Sequence, residues 1–172
     1  VSRTSELESP KASGDFLEGE IVQRIDALEY VDDRTADWHD AKTTAVLEPD
    51  RTLPFYGVVL LEPEIPVEIK GCQYQTSNGE YPTHGRYYVK RRAHDRLLEA
   101  GGMYLFVVYV PRPELPQLAR AVVPATIVDE LLAGRWYNVG GSRSENEVAK
   151  LSWSNVIEPE GVDPATRVGD AR

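Results

Sequence analysis

The chain has 172 residues, with 41% hydrophobic and 27% charged residues and a net charge of −9. No apolar run approaches the ~20 residues needed to span a bilayer, and the polar stretch Val1–Lys11 has no signal-peptide core, so a cytoplasmic protein is the expectation. A single cysteine, Cys72, excludes a disulfide framework and any cysteine-rich zinc site.

Positive charge comes mostly from arginine, because lysine is confined to Lys11, Lys42, Lys70, Lys90 and Lys150. An acidic, lysine-poor balance of this kind resembles proteins of salt-loving organisms; ordinary acidity for solubility is the alternative. The acidic total does not exclude a nucleic-acid partner, since a local basic patch carries more weight than the net sign.

In chain order, residues 1–13 are polar and expected to fray. Ser13 reads as an N-cap for a helix from Asp15 to Tyr30, whose stripe Leu17, Ile21, Ile25 and Leu28 faces the core. Glu18 lies beside that stripe. Residues 31–40 form a polar connection containing Trp38, His39 and Asp40. Three strands are then expected, at Ala41–Leu47, Phe55–Leu61 and Val67–Lys70. Turns at 48–51 and 62–64 would join them as a meander. In the third strand Val67 and Ile69 face one way and Glu68 and Lys70 the other, so a carboxylate and an ammonium project together from a rigid element. Taken alone, the triplet reads first as a solvated surface pair.

Residues 73–85 read as a long polar loop carrying Gln73, Gln75 and His84. A helix follows at Val89–Ala100, ended by Gly101 and Gly102. Arg86, Lys90, Arg91, Arg92, His94 and Arg96 crowd its start, with Tyr87 and Tyr88 interleaved. Met103–Val110 is almost continuously apolar, as a strand buried on both faces would be. Beyond an extended proline-rich segment, a helix is expected at Pro124–Ala133, a strand at Val148–Ile157 and a loose tail at 158–172. His39 and His84 are candidate general bases or plain surface histidines, and Cys72 reads as a packing residue. No Gly-x-x-x-x-Gly-Lys loop is present, so a nucleotide cofactor is not indicated.

The order helix, three strands, helix, strand, with Val67-Glu68-Ile69-Lys70 in the third strand, resembles the PD-(D/E)xK nuclease superfamily, and the archaeal Holliday-junction resolvases within it. The resemblance covers residues 14–110. It implies an α/β restriction-endonuclease-like αβββαβ core with a mixed central sheet flanked by helices, in one domain spanning 14–157. It also implies a DNA endonuclease using Mg²⁺ or Mn²⁺. Glu68 and a second acid would be metal ligands, with the Ile69 carbonyl as a third and Glu18 assisting through water. Lys70 would orient the attacking water. Asp40 is the first choice for the second acid, with Asp50 and Glu62 as alternatives. Arg86, Lys90, Arg91, Arg92, Arg96, Gln73 and Gln75 would contact DNA, and cutting both strands would favour a homodimer. A non-catalytic DNA-binding or assembly module on the same scaffold is the alternative, to be separated by whether an acid reaches Glu68. A third possibility is an unrelated α/β interaction protein, which would show a different strand order.

Overall fold

The computed structural model describes residues 10–25, 28–44, 55–56, 63–77, 81–112, 117–140 and 146–162. Among these, the strands β1 (Leu28–Tyr30), β2 (Ala41–Thr43), β3 (Phe55–Tyr56), β4 (Pro66–Gln73), β8 (Met103–Tyr109) and β9 (Gln117–Pro124) form a sheet ordered β1-β2-β4-β8-β9-β3. The β4–β8 and β9–β3 pairs are parallel and the others antiparallel, so the sheet is mixed. A hairpin of β5 (Gln75–Ser77) and β6 (Pro82–His84) follows β4. A second sheet of β7 (Arg86–Lys90), β10 (Tyr137–Asn138) and β11 (Glu147–Ser152) is ordered β10-β11-β7.

The helices are α1 (Pro10–Arg24), α2 (Arg91–Glu99) and α3 (Ala125–Leu132). None of the described helices is long and apolar enough to cross a membrane. Helix α1 covers one face of the main sheet, where Leu17, Ile21 and Ile25 pack with Val67, Ile69, Leu105 and Val107. The opposite face carries α2, α3 and the smaller sheet, through Leu97, Val128, Leu132, Leu151 and Trp153 against Cys72, Phe106 and Val108. Each such side chain, fully buried, contributes about 1.5–3 kcal/mol. Strand β8 lies between two partners and is buried on both faces, which is why its sequence is apolar throughout.

The αβββαβ order is present as α1-β1-β2-β4-α2-β8, a restriction-endonuclease-like arrangement, but its second and third elements are not where the sequence placed them. The first helix begins at Pro10, so Ser13 lies inside it, and it ends at Arg24. Leu28 belongs to β1, yet it is buried 6% exposed alongside Leu17, Ile21 and Ile25. The Leu28 N–H donates to the Ile25 carbonyl at 2.9 Å and Leu28 continues the apolar spacing, so periodicity alone could not mark the helix end. Strand β2 pairs directly with β4, Ala41 opposite Val67. Of the expected middle strand of the meander, the described residues Phe55–Tyr56 pair parallel with β9 at the far edge of the sheet. Residues 45–47 and 57–61, including Val59, lie outside the described residues.

Four further expectations change. The 73–85 loop contains a hairpin with Gln75 opposite His84. Arg86–Lys90 is a strand, so the helix expected from Val89 begins at Arg91; Tyr87 and Val89 point inward and Arg86, Tyr88 and Lys90 outward. Strand β9 was not expected, because its centre is occupied by Arg120, 1% exposed, whose Nε donates to Gln117 Oε1 at 2.6 Å. The last strand stops at Ser152, and Val162 is buried, so ordered structure continues past 157.

Candidate active site

The central residues stand at the edge of β4 that β2 leaves open. The two strands pair at Ala41–Val67 and Lys42–Pro66, and Thr43 continues the contact toward Ile65, away from Glu68 and Lys70. Just before β2, the Asp40 N–H donates to the Val67 carbonyl at 3.1 Å, and the Val31 N–H donates to the Asp40 carbonyl at 2.9 Å. These bonds clamp the backbone of Asp40 and turn its side chain along β4, where Oδ2 accepts from the Ile69 N–H at 2.7 Å. A carboxylate thus takes the ladder position that a longer β2 would have filled. Alternation along a strand sends the N–H and C=O of one residue to the same edge. The Ile69 carbonyl therefore lies on the edge where Asp40 sits.

Glu68 and Lys70 project from β4 on the face opposite Val67 and Ile69. Lys70 Nζ is 2.5 Å from Glu68 Oε1, and the two side chains are 24% and 10% exposed. The Asp40 carboxyl lies close enough to Glu68 for the two to shift each other's ionisation. Two carboxyls and one ammonium therefore share a mostly dry site, with one excess negative charge when all three are ionised.

Their ionisation reflects this. Burial pushes the Glu68 carboxyl up to about 7, helped by Asp40 and resisted by Lys70. Burial likewise raises Asp40 against the pull of Lys70 and the Ile69 N–H. Burial alone would lower Lys70, but Glu68 and Asp40 together outweigh it, and the ammonium is held above its ordinary value.

Helix α1 supplies a further charge. Glu18, half-buried on α1, acts electrostatically on Lys70. Gly71 permits this approach: a Cβ there would collide with Leu17 of α1 and press on the Tyr109 ring.

The donor set fits a divalent cation. The buried like-charge pair Asp40–Glu68 lacks one neutralising charge, and both acids present oxygen. Among the described residues no three His, Cys, Asp or Glu side chains gather as a cage. The set is instead two carboxylates with a backbone carbonyl, suited to a hard ion that keeps several waters. Asp50 and Glu62 lie outside the described residues.

The residues expected to contact substrate divide into groups. Lys90, Arg92 and Arg96 line a cleft of about 570 Å³ with Trp38 and Tyr88. Arg86 borders a second concavity beside His84 and Ser152. Arg91 is engaged internally, 3.7 Å from Asp95, 3.8 Å from Glu147 and 4.8 Å from the Trp136 ring. Gln73 hydrogen-bonds to Tyr109, while Gln75 is exposed on the β5–β6 hairpin. His94 does not join the basic group: it is fully buried, hydrogen-bonded to Tyr104 Oη at 2.8 Å and to Asp129 at 3.2 Å. His39 is buried beside Asp40, and burial lowers its pKa; neither ring nitrogen has a hydrogen-bond partner among the described residues. His84 packs on Trp153, ring centroids 4.5 Å apart.

Trp38, Lys150 and Tyr137 were not singled out in the sequence. The signal for Trp38 was its place two residues before Asp40. The other two become visible only once β11 and β10 pair beside β7.

A family model described as a PD-(D/E)XK nuclease superfamily domain matches residues 3–158. No curated protein and no solved structure matches the chain. The family match does not single out the archaeal Holliday-junction resolvases.

Proposed function

The chain belongs to the PD-(D/E)XK nuclease superfamily, and on that premise we propose that it is an endonuclease hydrolysing DNA phosphodiester bonds with Mg²⁺ or Mn²⁺. The observation that carries this reading is the meeting of Asp40, Glu68 and Lys70 at one edge of β4. Members of the superfamily generally use divalent metal ions. Asp40, Glu68 and the Ile69 carbonyl would hold the ion, with Glu18 assisting through water. When bound, such an ion supplies positive charge to the phosphoryl oxygens and makes water more acidic.

The chain's own groups do the rest. Lys70 stays protonated, because two acids hold its ammonium above the ordinary value. It therefore acts as a hydrogen-bond donor and not as a base. It orients the attacking water, then donates to the phosphoryl oxygens as negative charge builds on them. Asp40, anchored by the Ile69 N–H, keeps its place without reorganising. The cations along β7 and α2 bind the flanking phosphates. The non-catalytic alternative requires that no acid reach Glu68, and the closeness of the Asp40 carboxyl to it speaks against that.

The test is a nicking assay on supercoiled plasmid and on branched DNA, with Mg²⁺ and with EDTA. Wild type is expected to cut only with the metal, and Glu68→Ala and Lys70→Ala are each expected to lose about 100-fold or more. Cutting that survives both substitutions removes the assigned site.

A further inference from the structure

The outer face of the smaller sheet alternates cations with aromatic rings. Arg86, Tyr88 and Lys90 point outward from β7. Lys150 of β11 lies directly across from Tyr88, and Ser152 across from Arg86. Tyr137 of β10 is 41% exposed, and Lys150 Nζ stands 6.0 Å from its ring centre. Concavities bracket this strip. One, of about 500 Å³, adjoins His84, Arg86 and Ser152. The other, of about 570 Å³, lies between Trp38, Tyr88, Lys90, Arg92 and Arg96, and Asp37 is the one acid among its described lining residues.

Two physical features narrow what this surface binds. The first is charge. Among the described residues, Arg86, Lys90, Arg92, Arg96 and Lys150 make no ion pair, whereas Arg91 makes two. On a chain of net charge −9, a run of unpaired cations on one face marks a polyanion site. The second is the rings. Tyr88 is 42% exposed and faces the same cleft as Trp38. Exposed rings between cations suit base stacking, and a duplex hides its base faces while a single strand offers them. The cleft also lies beside the hydrolytic residues: Trp38 is two residues from Asp40, at most about 7 Å of chain.

We propose that the outer face of β7 and β11, together with the Trp38–Tyr88 cleft, is a binding track for an unpaired nucleic-acid strand. The track leads such a strand to the Asp40–Glu68–Lys70 edge, so the substrate carries a single-stranded stretch, as a flap, fork or frayed end does. Delivery for cutting rests on the nuclease reading; strand binding does not.

The experiment is fluorescence anisotropy of the full chain in EDTA, at one salt concentration. The probes are an oligothymidine of about 16 nucleotides and a duplex of the same length. The single strand is expected to bind about tenfold or more tightly than the duplex. Tyr88→Ala is expected to weaken single-strand binding about tenfold, and Tyr88→Phe, which keeps the ring, to restore it. Trp38→Ala should behave likewise, and a thermal melt shows whether that half-buried site still folds. Equal affinity for the two probes overturns the track, as does single-strand binding indifferent to Tyr88→Ala in a folded protein. Cleavage that survives Glu68→Gln defeats the nuclease reading and leaves the track standing.

Discussion

The Glu68 carboxyl controls how stability at this site depends on pH. Its folded pKa, about 7, lies above the ordinary 4.5, so the folded state holds more protons than the unfolded state between those values. Stability therefore falls as pH rises through that window, and Asp40, also raised, acts in the same direction. Lys70 is raised too, but its contribution is lost only in the alkaline range. In EDTA the melting temperature of wild type is expected to drop between pH 5 and 8 relative to Glu68→Gln, a difference on the order of a few kcal/mol. Added Mg²⁺ should restore it most at pH 8. Scanning calorimetry checks this, and an unchanged difference across that range contradicts it. Cys72 makes an independent point. Burial pushes its thiol up to about 12, so in the native protein it should not react with a thiol reagent at pH 8 until denaturant is added. Much of the candidate site was legible at this scale. Glu68 and Lys70 follow from strand alternation, and Asp40 from its place at the mouth of a strand. The buried state of His39 and His94 was not legible, because nothing local distinguishes a histidine that will be buried against Trp38 or Tyr104 from one at the surface.

At the scale of elements, the position of α1 decides whether Glu18 acts at the site, and Gly71 sets that position. Gly71→Val would drive a branched side chain into Leu17 and Tyr109. It is expected to destabilise the fold by about 1–3 kcal/mol, read from urea denaturation, and to lower cleavage as α1 shifts away. Leu17→Ala removes the same contact from the other side and should cost about 2–5 kcal/mol. The central strand β8 was plain in the sequence because both its faces are apolar. Three other strands were harder to read. Leu28-Glu29-Tyr30 continues a helical spacing and yet forms β1. Arg86–Lys90 carries period-two burial under a charge pattern that suggested a helix. Strand β9 hides because Arg120, held by Gln117, sits where an apolar residue was required. In each case a tertiary neighbour supplied what the local pattern lacked.

Across the described residues, an acidic chain should draw a polyanion most strongly to the cationic strip on β7, β11 and α2. Affinity for nucleic acid is thus expected to fall steeply with salt, and Arg92→Ala or Lys90→Ala should each reduce the slope of log affinity against log salt by about one. A slope unmoved by either change would place the contact elsewhere. The same charge balance bears on the hydrolytic site, where the buried Asp40–Glu68 pair exceeds Lys70 by one negative charge. The account stands or falls on whether that excess makes a cation seat. Isothermal titration of Mn²⁺ into the metal-free protein at pH 8 measures it directly. The account predicts cation binding in wild type, kept in Lys70→Met and lost in both Asp40→Asn and Glu68→Gln. Undiminished Mn²⁺ binding in those two variants would contradict it.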